Sequence, residues 1–451
     1  MSHPALVITH SNNRASGDRN LRHSSKLWPH RRNVVSRGRP PAQTYPMGKR
    51  RTALVIGGGI VGVTSAYALA REGWRVQILE RNEDVGLGAS LGNGRQLSYS
   101  HTNALGSPRM IPQIPGLLLG MNEAFRLSLR PDLQFFEWLL RFLANSTGSA
   151  YRRNTLQTLL LANESREAMD RLLKRHAIEF DRCKVGKLVL LRGRREVEAA
   201  RESMELKQKA GLRQTLLNPE EATEIEPALA QSPDPVTAAL YAPDDETGDC
   251  RLFASELAAL IQREYDVEIL TGREAILLER KANESLVRLD SGETLPAEQV
   301  VIASGYCASQ LLSPLGHSLP ITPMKGYSFT APIGNAPPQV SITDNKRRIV
   351  FTRTGDRLLI AGIAEIGMLD NSVDPARLES MKQAARQSLP EAADYSTANA
   401  GWAGLRPMTP NSQPIIRQLE TGIAVNAGHG MLGWTLAMGS AERLSRVVAP
   451  Q

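Results

Sequence analysis

The sequence predicts an α/β protein in which a Rossmann-type dinucleotide-binding domain is interleaved with an α+β domain built on an antiparallel sheet. Three observations carry that prediction. Residues 52–80 read as strand, glycine-rich turn, helix, strand and acid. Apolar strands that end in small-residue turns recur far along the chain, at 299–305 and again at 423–433. Between them, 320–331 and 340–364 alternate as antiparallel strands do, with Asp344-Asn345 and Gly355-Asp356 at the turns.

Thr52 to Ile56 is a short apolar, β-branched run suited to burial in a parallel sheet. It leads into Gly57-Gly58-Gly59-Ile60-Val61-Gly62, a G-x-G-x-x-G at Gly57, Gly59 and Gly62. Gly57 makes the tight turn, Gly59 lets a pyrophosphate approach the backbone, and Gly62 lets the helix pack on the strand. The helix from Ile60 to Arg71 offers free N–H groups and a positive dipole end to phosphates, with Ile60 and Val61 in its first turn. A second strand, Arg75 to Leu79, delivers Glu80, roughly 20 residues after the first glycine and placed to accept from ribose hydroxyls. A purely structural glycine turn would need no acid at that position.

Composition sets the bounds. A chain of 451 residues that is 41% hydrophobic can bury large cores and has room for two or three domains. Its three cysteines, Cys183, Cys250 and Cys307, are too few and too scattered for a disulfide framework or a zinc site, so a reducing, cytoplasmic setting is expected. No apolar run is long enough to span a membrane. The formal charge of +8 is uneven: residues 1–51 carry eleven Lys and Arg against Asp18 alone, a tail of +10 that leaves −2 for the rest. The tail, 1–50, reads as disordered. An inert or artefactual extension with Met47 as the working start, a targeting segment, and a polyanion- or membrane-attracting arm are its three readings. Nucleic acid is not an expected partner of the body.

After Glu80, Arg81 and a loop of small residues through Ser90, Asn93 and Gln96 are suited to wrap the inner face of a flavin. The apolar, Arg-studded stretch 110–143 holds a Phe135–Leu143 aromatic cluster, which fits either a second domain's core or a peripheral membrane contact. Residues 153–178 and 195–210 read as helices, with strands at 187–191 and 238–241. The acid cluster 243–250 lacks the closing Glu of a calcium loop, having Ser255 there; Gly248 reads as a turn and Asp249 as the N-cap of a helix over 251–264. Val267–Leu270, Ala275–Glu279 and Leu286–Leu289 read as a meander. The strand 299–302 then runs into a turn at Gly305, as in flavin folds more than in simple nicotinamide domains. Asp374 and Pro375 open a helix to Leu389. Finally, a strand at 423–426 meets Gly428, His429, Gly430, Leu432, Gly433 and Trp434, and a helix from Thr435 follows; its positive end would face the pyrimidine edge of a flavin. His429 fits a flavin contact or a satisfied structural histidine.

Four blocks, Pro243–Cys250 (PDDETGDC), Pro323–Ser328 (PMKGYS), Gly404–Pro410 (GLRPMTP) and Asn426–Thr435 (NAGHGMLGWT), resemble those of bacterial D-amino acid dehydrogenases of the small FAD-binding subunit type, within the D-amino acid oxidase-like flavoproteins. The resemblance runs from about 52 to 448. It implies FAD, a two-domain fold of the D-amino acid oxidase type, and a membrane-linked, oxygen-independent acceptor in the respiratory chain, with the protein on the inner face of the cell membrane. An oxygen-using glycine, sarcosine or D-proline oxidase or dehydrogenase is the alternative. Three departures stand out: Arg95 where a small residue is usual beside the flavin, Arg417 where Gly is expected at a strand end, and a chain that stops at Gln451 where relatives run on. On this reading 51–105, 250–312 and 402–451 bind FAD, and 106–249 with 313–401 hold the substrate.

Oxidising an α-amino acid needs its Cα–H aimed at flavin N5 and its amine neutral, so that the lone pair can expel hydride. Positioning supplies much of the rate, and one strong anchor for the substrate carboxylate is the main requirement. Arg406, read as lying in a Gly404-Leu405-Arg406-Pro407 loop, suits a bidentate clamp and matches the family's carboxylate-binding Arg. Tyr327 and Lys325 are expected in the same cavity.

Overall fold

The computed structural model describes residues 51–449 apart from 123, 282 and 283, so the basic tail lies outside the described residues. The apolar runs read from the sequence pair as two large sheets. In the first, six strands lie in the order Ile415–Glu420, Ile423–Ala427, Gln299–Ile302, Thr52–Ile56, Arg75–Leu79, Val267–Leu270. All neighbours are parallel except the Ile415–Glu420 edge strand, with Leu54 facing Val300 on one side and Gln77 on the other. Thr52–Ile56 at its centre is buried from Ala53 onward, as its lack of polar alternation requires. One face carries helices Ile60–Arg71, Cys250–Glu264, Gly433–Val447 and Gly148–Arg175, whose Val63, Leu257, Leu436 and Leu161 share one core. The opposite face packs Leu54, Ile302 and Val425 against Leu278 and Val287 of a three-stranded antiparallel sheet.

That small sheet corrects one expectation. Its strands are Ala275–Arg280, Ser285–Leu289 and Thr294–Ala297, and Val267–Leu270 is not among them. Val267–Leu270 leaves helix Cys250–Glu264 and joins the edge of the first sheet, running parallel to Arg75–Leu79.

The second sheet has nine strands: Trp402–Met408, Thr322–Pro332, Arg357–Ile366, Ile349–Thr354, Ser341–Asp344, Lys187–Leu191, Ala238–Ala242 and Thr215–Leu217 in order, with Phe125–Leu127 added beside Arg357–Ile366. It is mixed instead of wholly antiparallel, because Ser341–Asp344 runs parallel to Lys187–Leu191 and Phe125–Leu127 parallel to Arg357–Ile366. Trp402–Met408 belongs here, although the sequence reading groups it with the nucleotide-binding segments. Arg406 therefore sits in a strand opposite Met324, not in a loop. Arg417 likewise lies within a strand, opposite Val425, and does not end one.

Capping residues act as the sequence predicts. Asp249 accepts from Leu252 N–H, and Asp374 from Ala376 and Arg377 N–H. The stretch read as two open possibilities at 110–143 contains a helix, Leu133–Ala144, with Asp132 as N-cap. Phe135, Trp138 and Phe142 stack inward on its buried face, while Leu133 and Leu140 are exposed. Among the described residues, no helix is long and apolar enough to cross a membrane.

Candidate flavin and substrate site

A cavity of about 1090 Å³ runs from the end of the first sheet to the face of the second. At one end the chain turns at Gly57, whose φ of 109° and 2.7 Å distance from a would-be Cβ to Ala303 O exclude any other residue. Gly59 lines the cavity, where a Cβ would meet only Ser90 Oγ at 3.7 Å, and Ile60 and Val61 line it at the start of the helix. Ile60 N–H is met by Ser90 Oγ at 3.1 Å. Gly62 does not line the cavity: a Cβ there would lie 1.7 Å from Gly57 O, so its role is helix-to-strand packing. Glu80 is buried and its carboxylate accepts from Gly58 N–H at 2.6 Å and Asn82 N–H at 2.9 Å. Oε1 also accepts from Asn82 Nδ2 and is filled, so Oε2 is the oxygen that keeps accepting capacity. Arg81, Ser90, Asn93, Gln96 and Gly305 also form the wall, as do Gly428, Gly430, Leu432, Gly433 and Trp434. Trp434 contributes differently from the expectation: its indole turns into the core, packs at a 52° tilt against Phe253 and donates to Gly248 O at 3.1 Å.

His429 is buried in the wall with Nε2 2.8 Å from Ser440 Oγ, and burial lowers its pKa to about 3, so it is neutral at working pH. Four buried wall atoms, His101 Nδ1, Ser304 Oγ, Thr343 Oγ1 and Asn426 Oδ1, have no hydrogen-bond partner among the described residues. Buried polar atoms are seldom left so. The glycine cradle, the acid at the strand end, the helix N-termini and these orphaned atoms together fit a dinucleotide with a second, polar ring system.

At the other end, the strand pair Trp402–Met408 and Thr322–Pro332 opens two gaps with glycines. The Trp402 ring covers Gly404 and Gly92, and the Arg406 guanidinium covers Gly326, whose added Cβ would fall 2.3 Å from Arg406 Cζ. Arg406 faces the cavity, donates weakly to Ile363 O at 3.4 Å, and has no carboxylate partner among the described residues. Burial lowers its pKa to about 10, which still leaves it charged at neutral pH. A desolvated, unpaired guanidinium of this kind is expensive unless an anion meets it.

Tyr327 and Lys325 are not brought to this site. Strand alternation sends them to the face opposite Gly326. Tyr327 is buried in the core of the second sheet and donates to Glu365 at 3.0 Å, while Lys325 pairs with Asp370 at 2.7 Å. Arg95 is also outside the wall, paired with Asp249 at 2.6 Å. The acids of 243–250 are likewise engaged, Asp245 by Ser100 and Glu246 by Arg182. Among the described residues no acid, His or Cys cluster could hold a metal ion.

The sequence reading missed Lys187. Its amine is fully buried in the cavity wall, donating to Gln96 Oε1 at 2.9 Å and Ser98 Oγ at 2.8 Å, and burial lowers its pKa to about 8. Behind it lie Asp245 and Lys207, which donates to Ser100 O. The only available signal was a lone Lys opening an apolar strand.

The FAD dependent oxidoreductase family profile matches residues 52–447. The chain belongs to this family. Its cofactor is FAD, which the glycine cradle, Glu80 and the wall just described are built to accept. A D-amino acid dehydrogenase of Paramagnetospirillum magneticum is 38% identical, covering 88% of this chain and 94% of that one. D-amino acid dehydrogenase 2 of Pseudomonas aeruginosa is 37% identical, covering 87% and 94%. Among solved structures, glycine oxidase from Geobacillus kaustophilus superposes with a TM-score of 0.69 at 22% identity over 88% of this chain and 94% of that one. L-proline dehydrogenase from P. horikoshii gives 0.68 at 22% over 89% and 94%. At that identity these structures speak for the fold, which is the D-amino acid oxidase type.

Proposed function

We propose that the chain catalyses FAD-dependent oxidative deamination of D-amino acids, D-alanine being the first to test, with Arg406 as the group that holds the substrate carboxylate. The observation that carries this reading is the unpaired Arg406 guanidinium laid over Gly326 in the cavity wall. The names of the curated relatives support the substrate class. Bound FAD supplies a two-electron acceptor at flavin N5. The substrate gives up its Cα hydrogen with the bonding pair and loses a proton from nitrogen, and water converts the resulting imine to a 2-oxo acid and ammonia. The chain's part is placement. N–H groups at the start of helix Ile60–Arg71 hold the pyrophosphate, Glu80 the ribose, and the 428–433 turn the flavin ring, while Arg406 fixes the substrate by a two-pronged ion pair. The first sheet with its helices is the nucleotide-binding part on this reading, and the second sheet is the substrate part.

Arg406→Ala tests the assignment. Charge-assisted hydrogen bonds contribute roughly 1.5–3 kcal/mol each, so kcat/KM for D-alanine should fall at least about 100-fold while FAD content is retained. Arg406→Lys should lie between, because it keeps charge but not the planar fork. Near-normal turnover by Arg406→Ala would remove Arg406 from the site.

We infer that electrons pass to a quinone-type respiratory acceptor, at the inner face of the cell membrane. Supporting this, Leu119, Leu133 and Leu140 are 76%, 89% and 68% exposed on the 118–140 segment, with Arg141 beside them. The alternative is an oxidase. Stopped-flow mixing of the reduced enzyme with oxygen decides it, since rapid reoxidation at turnover rates would overturn the quinone reading.

A further inference from the structure

We infer that the preferred substrates are D-amino acids with a second carboxylate in the side chain, of the D-glutamate type, with Arg348 binding that second anion. This rests on the reading of Arg406 as the α-carboxylate anchor.

Three cations stand in a row at the turn between strands Ser341–Asp344 and Ile349–Thr354, and they have different fates. Lys346 pairs with Asp234, and Arg347 with Asp234 and Asp344, all at 3.0 Å. Arg348 adopts a φ of 53°, a conformation L residues seldom take, and forms part of the cavity wall. There it has no carboxylate partner among the described residues. Its Cζ lies 4.7 Å over the Phe125 ring, and its Nη2 donates to Gln113 Oε1 at 3.3 Å. Most of its five donors are left unmatched, and burial lowers its pKa.

The second observation is where this guanidinium lies. Arg406 reaches Ile363 O, and Phe125, beneath Arg348, pairs through its strand with Ala364. The Arg348 carbonyl would sit 3.0 Å from a Cβ on Gly362. Both cations therefore converge on Gly362-Ile363-Ala364, where a register shift and a φ of 54° at Ile363 distort the strand. Strands lie about 4.8 Å apart, so the two groups are separated by roughly one or two strand widths, a span that a five-carbon dicarboxylate can bridge. A hydrocarbon side chain would leave Arg348 unmatched, and a cationic one would be repelled. Three acids also line the wall: Glu80 at the nucleotide end, Glu274, which faces Arg81 at 3.5 Å, and Glu196, whose Oε2 accepts from Arg192 N–H at 2.8 Å.

The test uses the FAD-loaded full chain with D-glutamate, D-glutamine, D-aspartate and D-alanine. D-Glutamine is the neutral isostere of D-glutamate, so the ratio of their kcat/KM values isolates the side-chain charge. Wild type should favour D-glutamate by about 10-fold or more, and Arg348→Gln should erase that preference, with Arg348→Lys restoring part of it. In parallel, glutarate and butyrate are titrated against the flavin absorbance, which reads binding without turnover. Glutarate should bind more tightly than butyrate, and Arg348→Gln should remove the difference. If D-alanine is oxidised but D-glutamine equals D-glutamate, or Arg348→Gln leaves the ratio unchanged, the dicarboxylate inference is overturned and the deamination reading stands. If no D-amino acid is oxidised, the deamination reading fails, and the glutarate titration still decides whether Arg348 binds the second carboxylate.

Discussion

At the scale of single residues, the substrate end of the cavity depends on what is missing from Gly326 as much as on Arg406. A methyl group at 326 would occupy the space of the guanidinium carbon, 2.3 Å away, and Arg406 would have to swing aside. Misplacement of a substrate anchor by about 1 Å can cost on the order of 100-fold. Gly326→Ala should therefore lower kcat/KM for D-alanine by roughly that factor while flavin content, read from the absorbance of the purified protein, stays at one per chain. A wild-type kcat/KM in that variant would show that the carboxylate is held elsewhere. The block PMKGYS made Lys325 and Tyr327 look close to the chemistry and left Gly326 unremarked, because resemblance is blind to the side of the strand. Alternation then turned Gly326 to the cavity and Lys325 and Tyr327 to Asp370 and Glu365.

Among the elements, those whose ends are set locally were legible and those set by distant partners were not. Helix Cys250–Glu264 begins at Asp249 because an Asp side chain can take up the Leu252 N–H, a relation contained in four consecutive residues. The same carboxylate receives Arg95. Asp249→Ala should cost about 1–3 kcal/mol by losing both, seen as a lower Tm in thermal unfolding; Arg95→Ala, which keeps the cap, should cost less. An equal loss in the two variants would mean that the cap contributes nothing. Gly404–Pro407 in strand Trp402–Met408, by contrast, read as loop because Gly404 and Pro407 bound it. Its strand geometry comes from pairing with Thr322–Pro332, more distant than any local pattern can signal. Likewise, the Val267–Leu270 run has strand composition, but nothing in it names Arg75–Leu79 as its neighbour.

Across the whole molecule, a set of buried charges behind the cavity wall should make stability depend on pH. Lys207 is almost wholly enclosed beside Lys187, Asp245 and Ser100, and burial, the largest influence, lowers its pKa to about 7. An unfolded Lys titrates near 10.4. Between those values the unfolded chain holds the extra proton, so stability rises with pH over that window. The gain in Tm from pH 7 to 9 should be larger in wild type than in Lys207→Met, measured by circular dichroism on the FAD-loaded protein; identical slopes would show that Lys207 keeps its proton. The strand order has another consequence, for synthesis. Thr52–Ile56 is among the first strands of the body to leave the ribosome, yet the sheet around it also needs Gln299–Ile302 and Ile423–Ala427. At about 5–20 residues per second, Arg75–Leu79 follows Thr52–Ile56 within seconds, but its other neighbour, Gln299–Ile302, comes roughly 12–50 s later and Ile423–Ala427 roughly 20 s to more than a minute later. Until Ile423–Ala427 and the 428–433 turn emerge the cofactor site has no finished wall, so cofactor capture belongs after that point, and the growing polypeptide meanwhile carries an unpaired apolar edge of the kind that aggregates.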